Sequence, residues 1–257
     1  METWISAGIA DRVALVTGAA RGIGAAVAHS LSDLGARVAC VDIDAEALRE
    51  TGAGHPYPAD VTDAAAVERV LTAVEADLGP IDIAVNVAGI LRTGDALATA
   101  DDDWAALFAV NTTGVFHVSR FAARRMVPRR RGVIVTVGSN AAGVPRAGMA
   151  AYAASKAAAA HFTRSLGLEL APHGIRCNVV APGSTDTDMQ RAMWTPGGPG
   201  AEGVIAGDPA AFKVGIPLGR IAAAEDIADA VTFLVSDRAR HITLHDLYVD
   251  GGATLRA

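Results

Sequence analysis

Apolar residues are distributed along this chain in two alternating patterns. Short runs such as RVALVT at 12–17 and GVIVTV at 132–137 are almost continuously apolar and rich in β-branched residues, which is typical of buried strands. Between such runs, apolar residues recur every three or four positions, which is the period of an amphipathic helix. Strands that alternate with helices predict a parallel sheet joined by right-handed crossovers.

This alternation continues over most of the chain. Strands are expected at 12–17, 37–42, 55–59, 81–85, 132–137, 175–181 and 247–250. Helices are expected at about 25–34, 64–78, 101–126, 151–170 and 225–236. We therefore predict one α/β domain over 1–257, Rossmann-like, with a doubly wound, parallel, seven-stranded sheet and helices on both faces. The Gly- and Pro-rich stretch 189–215 breaks the rhythm after a strand end, and we expect it to be a substrate lid.

Charge and composition exclude some classes of partner. The 257 residues carry a formal net charge of −6, so non-specific binding of nucleic acid is not indicated. An arginine-rich segment at 124–131 is the exception, and we interpret it as a solvated helix end. The apolar runs are short and interrupted by charge, so no membrane span is expected.

The two cysteines indicate a compartment. Cys40 and Cys177 both lie in apolar, strand-like runs. Two cysteines form no disulfide framework in a chain of this length, and buried free thiols fit a reducing cytoplasm. The start METWISAGIADR lacks the cationic region and apolar core of a signal peptide, so we expect a cytoplasmic protein. We expect no bound metal.

A glycine-rich turn follows the first strand and opens the first helix. Gly18, Gly22 and Gly24 stand in a GxxxGxG spacing, where backbone N–H groups can approach a pyrophosphate at a helix N-terminus. Asp42 ends the second strand, and a carboxylate there can accept hydrogen bonds from the adenosine ribose and repel a 2′-phosphate. This favours NAD over NADP. Asp42 could instead cap the next helix, and Arg21 could tolerate a 2′-phosphate.

A phenol and an ammonium stand four residues apart in an Ala-rich, helix-favouring run. Tyr152 and Lys156 therefore share one helix face, with Ser139 thirteen residues before the phenol. A neighbouring cation lowers the pKa of a phenol, which would make Tyr152 a general base for a hydroxyl proton. A Tyr–Lys pair alone is more often a solvated surface pair.

A functional role for this pair is favoured because other candidate residues are predicted to lie at the same edge of the sheet. Several polar or small residues fall at the carboxyl ends of predicted strands, where ligands bind in parallel α/β sheets. They are Gly18, Asp42, Asp60, Asn86 and Ser139. We therefore expect one site at this edge of the sheet.

The motifs TGAARGIG at 17–24, NVAG at 86–89, SNAAG…YAASK at 139–156 and PGSTDT at 182–187 together resemble the short-chain dehydrogenase/reductase family. The likeness covers essentially the whole chain. It implies a catalytic set consisting of Asn111, Ser139, Tyr152 and Lys156. In that set Tyr152 is the acid/base, and Lys156 lowers its pKa and binds the nicotinamide ribose. Ser139 orients the substrate hydroxyl, and Asn111 holds a proton-relay water.

The same resemblance implies an NAD site and a homotetramer. Asp60 and Val61 would contact adenine, and Thr187 the nicotinamide carboxamide. The implied cofactor-binding residues are Gly18, Arg21, Gly22, Ile23, Gly24, Asp42, Asp60, Val61, Asn86, Ala88, Gly89, Tyr152, Lys156, Pro182, Gly183, Thr185 and Thr187. Val87 departs from the pattern, because many members have a second Asn there. The helices of Asn111 and Tyr152 and the last strand would lie at subunit interfaces.

A closer likeness within the family concerns the substrate. AGILR at 88–92 and VPRAGMAAY at 144–152 resemble members that oxidise the C3 alcohol of a 2,3-dihydro aromatic acid, which implies a cyclic carboxylate as substrate. Arginine is best shaped to bind a carboxylate, although each arginine could also be a surface charge. The candidates for the substrate pocket are Arg92, Ser139, Arg146, Met149, Met189, Gln190 and Arg191.

Three alternatives remain open. An amine could replace the 2-hydroxyl of the substrate, and an acidic group such as Asp188 could prefer it. An NADPH-dependent reductase of 3-oxoacyl thioesters is a second alternative, against which Asp42 argues. A catalytically silent dinucleotide-binding protein is the third, but such a protein would be expected to have lost Tyr152, Lys156 or Ser139.

Overall fold

The computed structural model describes residues 8–194 and 198–255. The strands in these ranges are β1 (Val13–Thr17), β2 (Arg37–Asp42), β3 (His55–Pro58), β4 (Ile81–Asn86), β5 (Gly132–Val137), β6 (Ile175–Pro182) and β7 (Asp246–Val249). They form one parallel, seven-stranded sheet in the order β3-β2-β1-β4-β5-β6-β7. The strand order reverses between β1 and β4, which confirms the predicted doubly wound, Rossmann-like fold.

Helices cover both faces of this sheet. They are α1 (Gly22–Asp33), α2 (Ala45–Glu50), α3 (Ala64–Asp77), α4 (Asp101–Phe108), α5 (Val115–Arg129), α6 (Ala150–Leu170), α7 (Asp188–Arg191), α8 (Gly200–Ala206) and α9 (Ala224–Val235). Successive strand residues point to opposite faces. Ala14 and Val16 of β1 therefore pack with α1 and α9, whereas Val13 and Leu15 pack with α3, α5 and α6.

The structure differs from the predicted elements in three places. The helix expected at 101–126 consists of α4, a π-helical turn at Ala109–Gly114 and α5. The helix expected after Asp42 was given no bounds; it is the short helix α2, and Asp44 caps it by accepting a hydrogen bond from the backbone N–H of Ala47 at 3.1 Å. The stretch 189–215 contains most of α7 and all of α8 rather than irregular backbone alone, and its residues 195–197 lie outside the described ranges.

The arginine-rich segment at 124–131 is ion-paired rather than simply solvated. Arg125 and Arg129 contact the Glu75 carboxylate at 3.4 and 3.0 Å, and Arg131 contacts Asp82 at 3.5 Å. The acidic partners lie on α3 and β4, so the segment ties α5 to the amino-terminal edge of the sheet. Among the described residues, no helix is long and apolar enough to span a membrane.

Both cysteines are buried and free, as predicted. Burial raises the pKa of Cys40 to about 11 and that of Cys177 to about 12. These thiols are therefore protonated at neutral pH and behave as small apolar side chains of the core.

Arg176 on β6 fastens the carboxyl end of α9. Its guanidinium donates hydrogen bonds to the carbonyl oxygens of Leu234 at 2.7 Å and Ser236 at 3.1 Å. Carbonyl groups in the last turn of a helix have no partner within the helix, and a cation there complements the helix dipole. Burial lowers the pKa of Arg176 to about 10, which leaves it charged at neutral pH.

We expect Arg176→Ala to lower the free energy of unfolding by about 2–4 kcal/mol, because several carbonyl groups lose their donor at once. Urea and thermal unfolding measure this loss. Arg69→Ala is the matched control, since the Arg69 guanidinium lies 3.9 Å from Asp63 on the exposed surface, where ion pairs contribute about 0–1 kcal/mol. Equal stability of the two variants would contradict the capping role.

Candidate active site

A cavity of about 1120 Å³ lies at the carboxyl ends of the strands. The loops that follow each strand contribute to its wall, together with the start of α6 and the 188–216 segment. Small-molecule sites usually measure about 300–1,000 Å³. The cavity is therefore large enough for a dinucleotide and a second, smaller ligand side by side.

The glycine-rich turn leaves no room for side chains at this wall. Gly18 has φ +67°, and a Cβ on it would lie 2.7 Å from the Cα of Ala88. A Cβ on Gly24 would lie 1.9 Å from the carbonyl oxygen of Gly18. α1 begins at Gly22 without a side-chain cap, so the N–H groups of its first turn remain available to a ligand. This bare backbone cradle fits the pyrophosphate of a dinucleotide.

Asp42 faces the same cavity from the end of β2. Its carboxylate accepts hydrogen bonds from the backbone N–H groups of Ala20 and Asp44, each at 3.0 Å. Each carboxylate oxygen keeps a second lone pair for a ribose hydroxyl. The alternative that Asp42 caps the next helix is wrong, because Asp44 does so. Arg21 forms an ion pair with Asp44, so the guanidinium that could have bound a 2′-phosphate already has an acidic partner.

Asp60 and Val61 line the cavity beyond β3, whereas Asn86 does not line it. Asn86 is buried, and its amide donates hydrogen bonds to Ser119 at 2.9 Å and Thr136 at 3.3 Å. Asn86 therefore joins β4 to α5 and β5 rather than facing a ligand directly. The other implied cofactor-binding residues all line the cavity.

Ser139, Tyr152 and Lys156 meet at the cavity floor. The Ser139 hydroxyl accepts a hydrogen bond from the N–H of Ala141 at 3.2 Å and is hydrogen-bonded to Tyr152. The Lys156 ammonium donates to the carbonyl oxygen of Val137 at 3.1 Å. Tyr152 and Lys156 are both buried, so the folded chain brings the three expected side chains together in a water-poor environment.

Burial sets the protonation of this group. Burial raises the pKa of Tyr152, and the hydrogen bond to Ser139 partly opposes this rise. Burial lowers the pKa of Lys156 to about 8. The expected lowering of the Tyr152 pKa is therefore wrong for the chain alone, because loss of solvation outweighs the favourable contacts. Tyr152 is therefore a phenol at neutral pH.

Asn111 stands in the π-helical turn between α4 and α5. Its side chain accepts a hydrogen bond from the N–H of Ile90 at 2.8 Å and donates to the Ile90 carbonyl at 3.0 Å. It also donates to the Ser155 hydroxyl at 3.0 Å. π-Helical turns occur often at functional sites. Asn111 does not line the cavity; it fixes the loop after β4 against α6, next to Tyr152 and Lys156.

Of the three arginines considered for a carboxylate, the structure brings Arg146 to the cavity. Its guanidinium donates to the carbonyl oxygen of Ala253 at 3.3 Å. Arg92 pairs with Asp103 at 3.2 Å and Arg191 with Asp186 at 2.8 Å, both outside the lining. The predicted pocket residues Met149, Met189 and Gln190 line the cavity with Arg146.

Several lining residues were not predicted. They are chiefly Ile90, Leu91, Asn140, Met193, Trp194, Lys213 and Ala253. Asn140 follows Ser139 directly, and Ala253 follows the VDGG run at 249–252, so adjacency to a motif could have found these two. Met193, Trp194 and Lys213 lie in the Gly- and Pro-rich stretch, where no periodicity marks an inward-facing position. Among the described residues, no group of three or more His, Cys, Asp or Glu side chains could hold a metal ion.

The fold, the glycine cradle and the Ser139–Tyr152–Lys156 group define one class of protein, and a family model agrees. A model described as enoyl-(acyl carrier protein) reductase matches residues 18–254. The chain belongs to the short-chain dehydrogenase/reductase family. Membership implies a nicotinamide dinucleotide as cofactor, which the cradle and Asp42 fit.

Particular relatives are more informative. The chain is 54% identical over 256 residues to the 2,3-dihydro-2,3-dihydroxybenzoate dehydrogenase of Bacillus subtilis, covering 96% of this chain and 98% of that protein. It is 47% identical to the enzyme of the same name from Escherichia coli, with 94% and 96% covered. A crystal structure named as ribose-5-phosphate isomerase from Brucella melitensis superimposes with a TM-score of 0.90 at 34% identity, covering 98% of this chain and 95% of that chain.

Proposed function

We propose that this chain oxidises the C3 alcohol of 2,3-dihydro-2,3-dihydroxybenzoate with NAD and so produces 2,3-dihydroxybenzoate, a catechol used in siderophore biosynthesis. The relatives of that name support the substrate. The observation that carries the proposal is that one cavity joins the Ser139, Tyr152 and Lys156 group to Arg146. This combination supplies proton transfer at a hydroxyl and a cation for a carboxylate.

The chemistry divides between cofactor and chain. A nicotinamide dinucleotide, when bound, supplies the acceptor for the hydride that leaves C3. Tyr152 removes the proton of the C3 hydroxyl, and Ser139 holds that oxygen beside it. Lys156 places positive charge next to the phenolate that must form. The resulting ketone loses its C2 proton and gains one on oxygen, and this tautomerisation makes the ring aromatic.

Arg146 is the proposed partner of the substrate carboxylate. Its hydrogen bond to Ala253 leaves further N–H donors on the guanidinium, and arginine binds carboxylates through two parallel hydrogen bonds. Met149 and Met189 line the same cavity and offer apolar surface for the substrate ring.

NAD is the proposed dinucleotide, because Asp42 presents a carboxylate where NADP would bring a phosphate. Asp42→Asn keeps the shape and removes the charge. We expect the ratio of kcat/KM for NAD to that for NADP to fall about 10–100-fold, which corresponds to losing charged hydrogen bonds. Asp63→Asn, at the cap of α3 away from the cavity, is the control and should leave the ratio unchanged. An unchanged ratio in Asp42→Asn would contradict the assignment.

The stretch 189–215 is the proposed lid. The cavity is lined by residues from both the first and the second half of this stretch. They include Met189, Met193 and Trp194, and also Gly203 and Gly215. Residues 195–197 lie outside the described ranges. Segments that cover a site in this way exclude water during reaction.

We also propose a cytoplasmic homotetramer. The two free thiols fit a reducing compartment. An aromatic patch on α4 to α6 supports association: Trp104 is exposed, the Phe116 and Phe162 rings lie 5.7 Å apart, and the Arg120 guanidinium lies 4.6 Å from the Phe116 ring centre. A monomeric mass by light scattering would contradict the tetramer.

The test of the proposed function is NADH formation from the dihydrodiol acid and NAD. The 2-amino analogue, 2,3-dihydro-3-hydroxyanthranilate, is run beside it, and a 3-oxoacyl thioester with NADPH represents the reductase alternative. We expect the diol acid to be preferred, since Asp188 is paired with Arg191 at 3.6 Å rather than left for an amine. Preference for the amine or the thioester would overturn the proposal, and binding of NAD without any turnover would favour the silent binding protein.

A further inference from the structure

The chain after β7 folds into a turn at 250–253, here called the C-terminal turn, that reaches the active site. The Asp250 carboxylate accepts a hydrogen bond from the N–H of Gly252 at 2.9 Å, and its backbone carbonyl accepts one from Ala253 at 3.2 Å. Gly251 and Gly252 have φ of +62° and +87°, a backbone region that favours glycine. The turn is therefore closed by Asp250 and shaped by two glycines.

This turn is attached to the residue beside the catalytic serine. The second oxygen of Asp250 accepts a hydrogen bond from the Asn140 amide at 3.3 Å. Asn140 is 8% exposed and Asp250 is 9% exposed, so the contact is shielded from water, and water does not readily take the place of either partner. Gly183 permits the approach, because a Cβ on it would lie 2.6 Å from the Cβ of Asp250.

The same turn meets the substrate arginine and the end of the lid. The carbonyl oxygen of Ala253 accepts the hydrogen bond from Arg146 at 3.3 Å. The carbonyl oxygen of Gly251 accepts one from the N–H of Leu218 at 3.1 Å, just beyond the lid. Four residues thus connect the catalytic loop, the substrate cation and the lid.

We propose that Asp250 is a positioning residue for the substrate carboxylate. By closing the C-terminal turn against Asn140 it fixes the Ala253 carbonyl, and that carbonyl orients the Arg146 guanidinium toward the cavity. The inference rests on the proposed function, since it assigns a carboxylate to Arg146. Asp250 does not line the cavity, so its effect should appear in recognition of the acid group rather than in proton transfer.

The test compares two ligands that differ by one carboxylate, 2,3-dihydroxybenzoate and catechol, by calorimetric titration into the NADH complex. We expect Asp250→Asn to weaken the acid about 10-fold or more and catechol less than about twofold. KM for the diol acid should rise similarly, with kcat and KM for NAD little changed. Asp246→Asn is the control, because it removes the ion pair between Asp246 on β7 and Arg164 on α6, and neither residue lines the cavity.

Two further variants sharpen the result. In a double-mutant cycle, Asp250→Asn added to Arg146→Met should cause no further loss of acid binding, because both act through one guanidinium. Asn140→Ala breaks the same contact from its other side and serves if Asp250→Asn does not fold. Additive losses, or equal weakening of acid and catechol, would overturn the inference.

The proposed function and the positioning role of Asp250 can fail independently of each other. If the parent protein leaves the dihydrodiol acid unoxidised but prefers 2,3-dihydroxybenzoate to catechol, and Asp250→Asn removes that preference, the positioning role stands and the substrate assignment falls. If the parent oxidises the diol acid and Asp250→Asn keeps the preference, the reverse holds.

Discussion

Tyr152→Phe is expected to lower kcat for alcohol oxidation by about 10²–10⁴-fold, because the variant keeps the ring and loses the group that accepts the proton. Burial raises the pKa of Tyr152, and the base form is the phenolate. In the parent, kcat should therefore rise with pH up to about 8, where Lys156 begins to lose the proton that makes it a cation, while the residual rate of the variant should lack this dependence. Steady-state rates of NADH formation across pH measure both effects.

Tyr57→Phe is the matched control for that experiment. The Tyr57 hydroxyl donates to Asp77 at 2.9 Å at the edge of the sheet, outside the cavity, so its loss should leave kcat and the pH profile unchanged. Near-parental turnover in Tyr152→Phe would remove Tyr152 as the acid/base and leave the fold assignment intact.

Lys156→Met is expected to change activity and stability in opposite directions. Turnover should fall about 10²-fold or more, because the phenolate of Tyr152 loses its neighbouring cation. The free energy of unfolding at pH 7 should rise, because burial lowers the pKa of Lys156 from 10.5 to about 8 and a charge is held where solvation is poor. That shift corresponds to roughly 3 kcal/mol, from which the hydrogen bond to Val137, about 1–3 kcal/mol, is subtracted.

The sign of the pH dependence follows from proton binding. Between pH 8 and 10.5 the unfolded chain binds more protons at this lysine than the folded one, so the parent gains stability as pH rises through that window. Below pH 8 both states are protonated and the full cost is present. The advantage of Lys156→Met should therefore be largest near pH 7 and shrink by pH 10. Thermal unfolding at both pH values tests this, and a variant less stable than the parent at pH 7 would contradict it.

Local sequence rules were sufficient for much of the site. Gly18, Asp42 and Ser139 each lie at the end of a strand or within two residues after it, and parallel strands bring their carboxyl ends to one edge whatever the details of packing. The four-residue spacing of Tyr152 and Lys156 likewise needs only a helix.

Other features depend on contacts that no sequence pattern encodes. Arg92, Arg146 and Arg191 look alike in sequence. Arg92 and Arg191 pair with the nearby Asp103 and Asp186, whereas Arg146 bonds to Ala253, which lies 107 positions along the chain. The contact between Asn140 and Asp250 joins residues 110 positions apart. No periodicity encodes it.

Two predictions were wrong because the feature concerned is set by the fold and not by the local sequence. The π-helical turn at Ala109–Gly114 keeps nearly helical spacing, so the hydrophobic period of 101–126 does not reveal it. The pKa of Tyr152 was expected to fall because the cation is visible in the sequence, whereas burial, which raises it, is a property of the fold.

The buried thiols make the protein convenient for fluorescence work. With pKa values of about 11 and 12, at most about one thiol in 10⁴ is ionised at pH 7, and maleimide dyes react with the thiolate. Labelling of Cys40 and Cys177 by such dyes should therefore be negligible. A cysteine introduced at Phe212, whose side chain is 91% exposed near the end of the proposed lid, would carry a single dye whose emission tests whether this stretch moves as ligands bind.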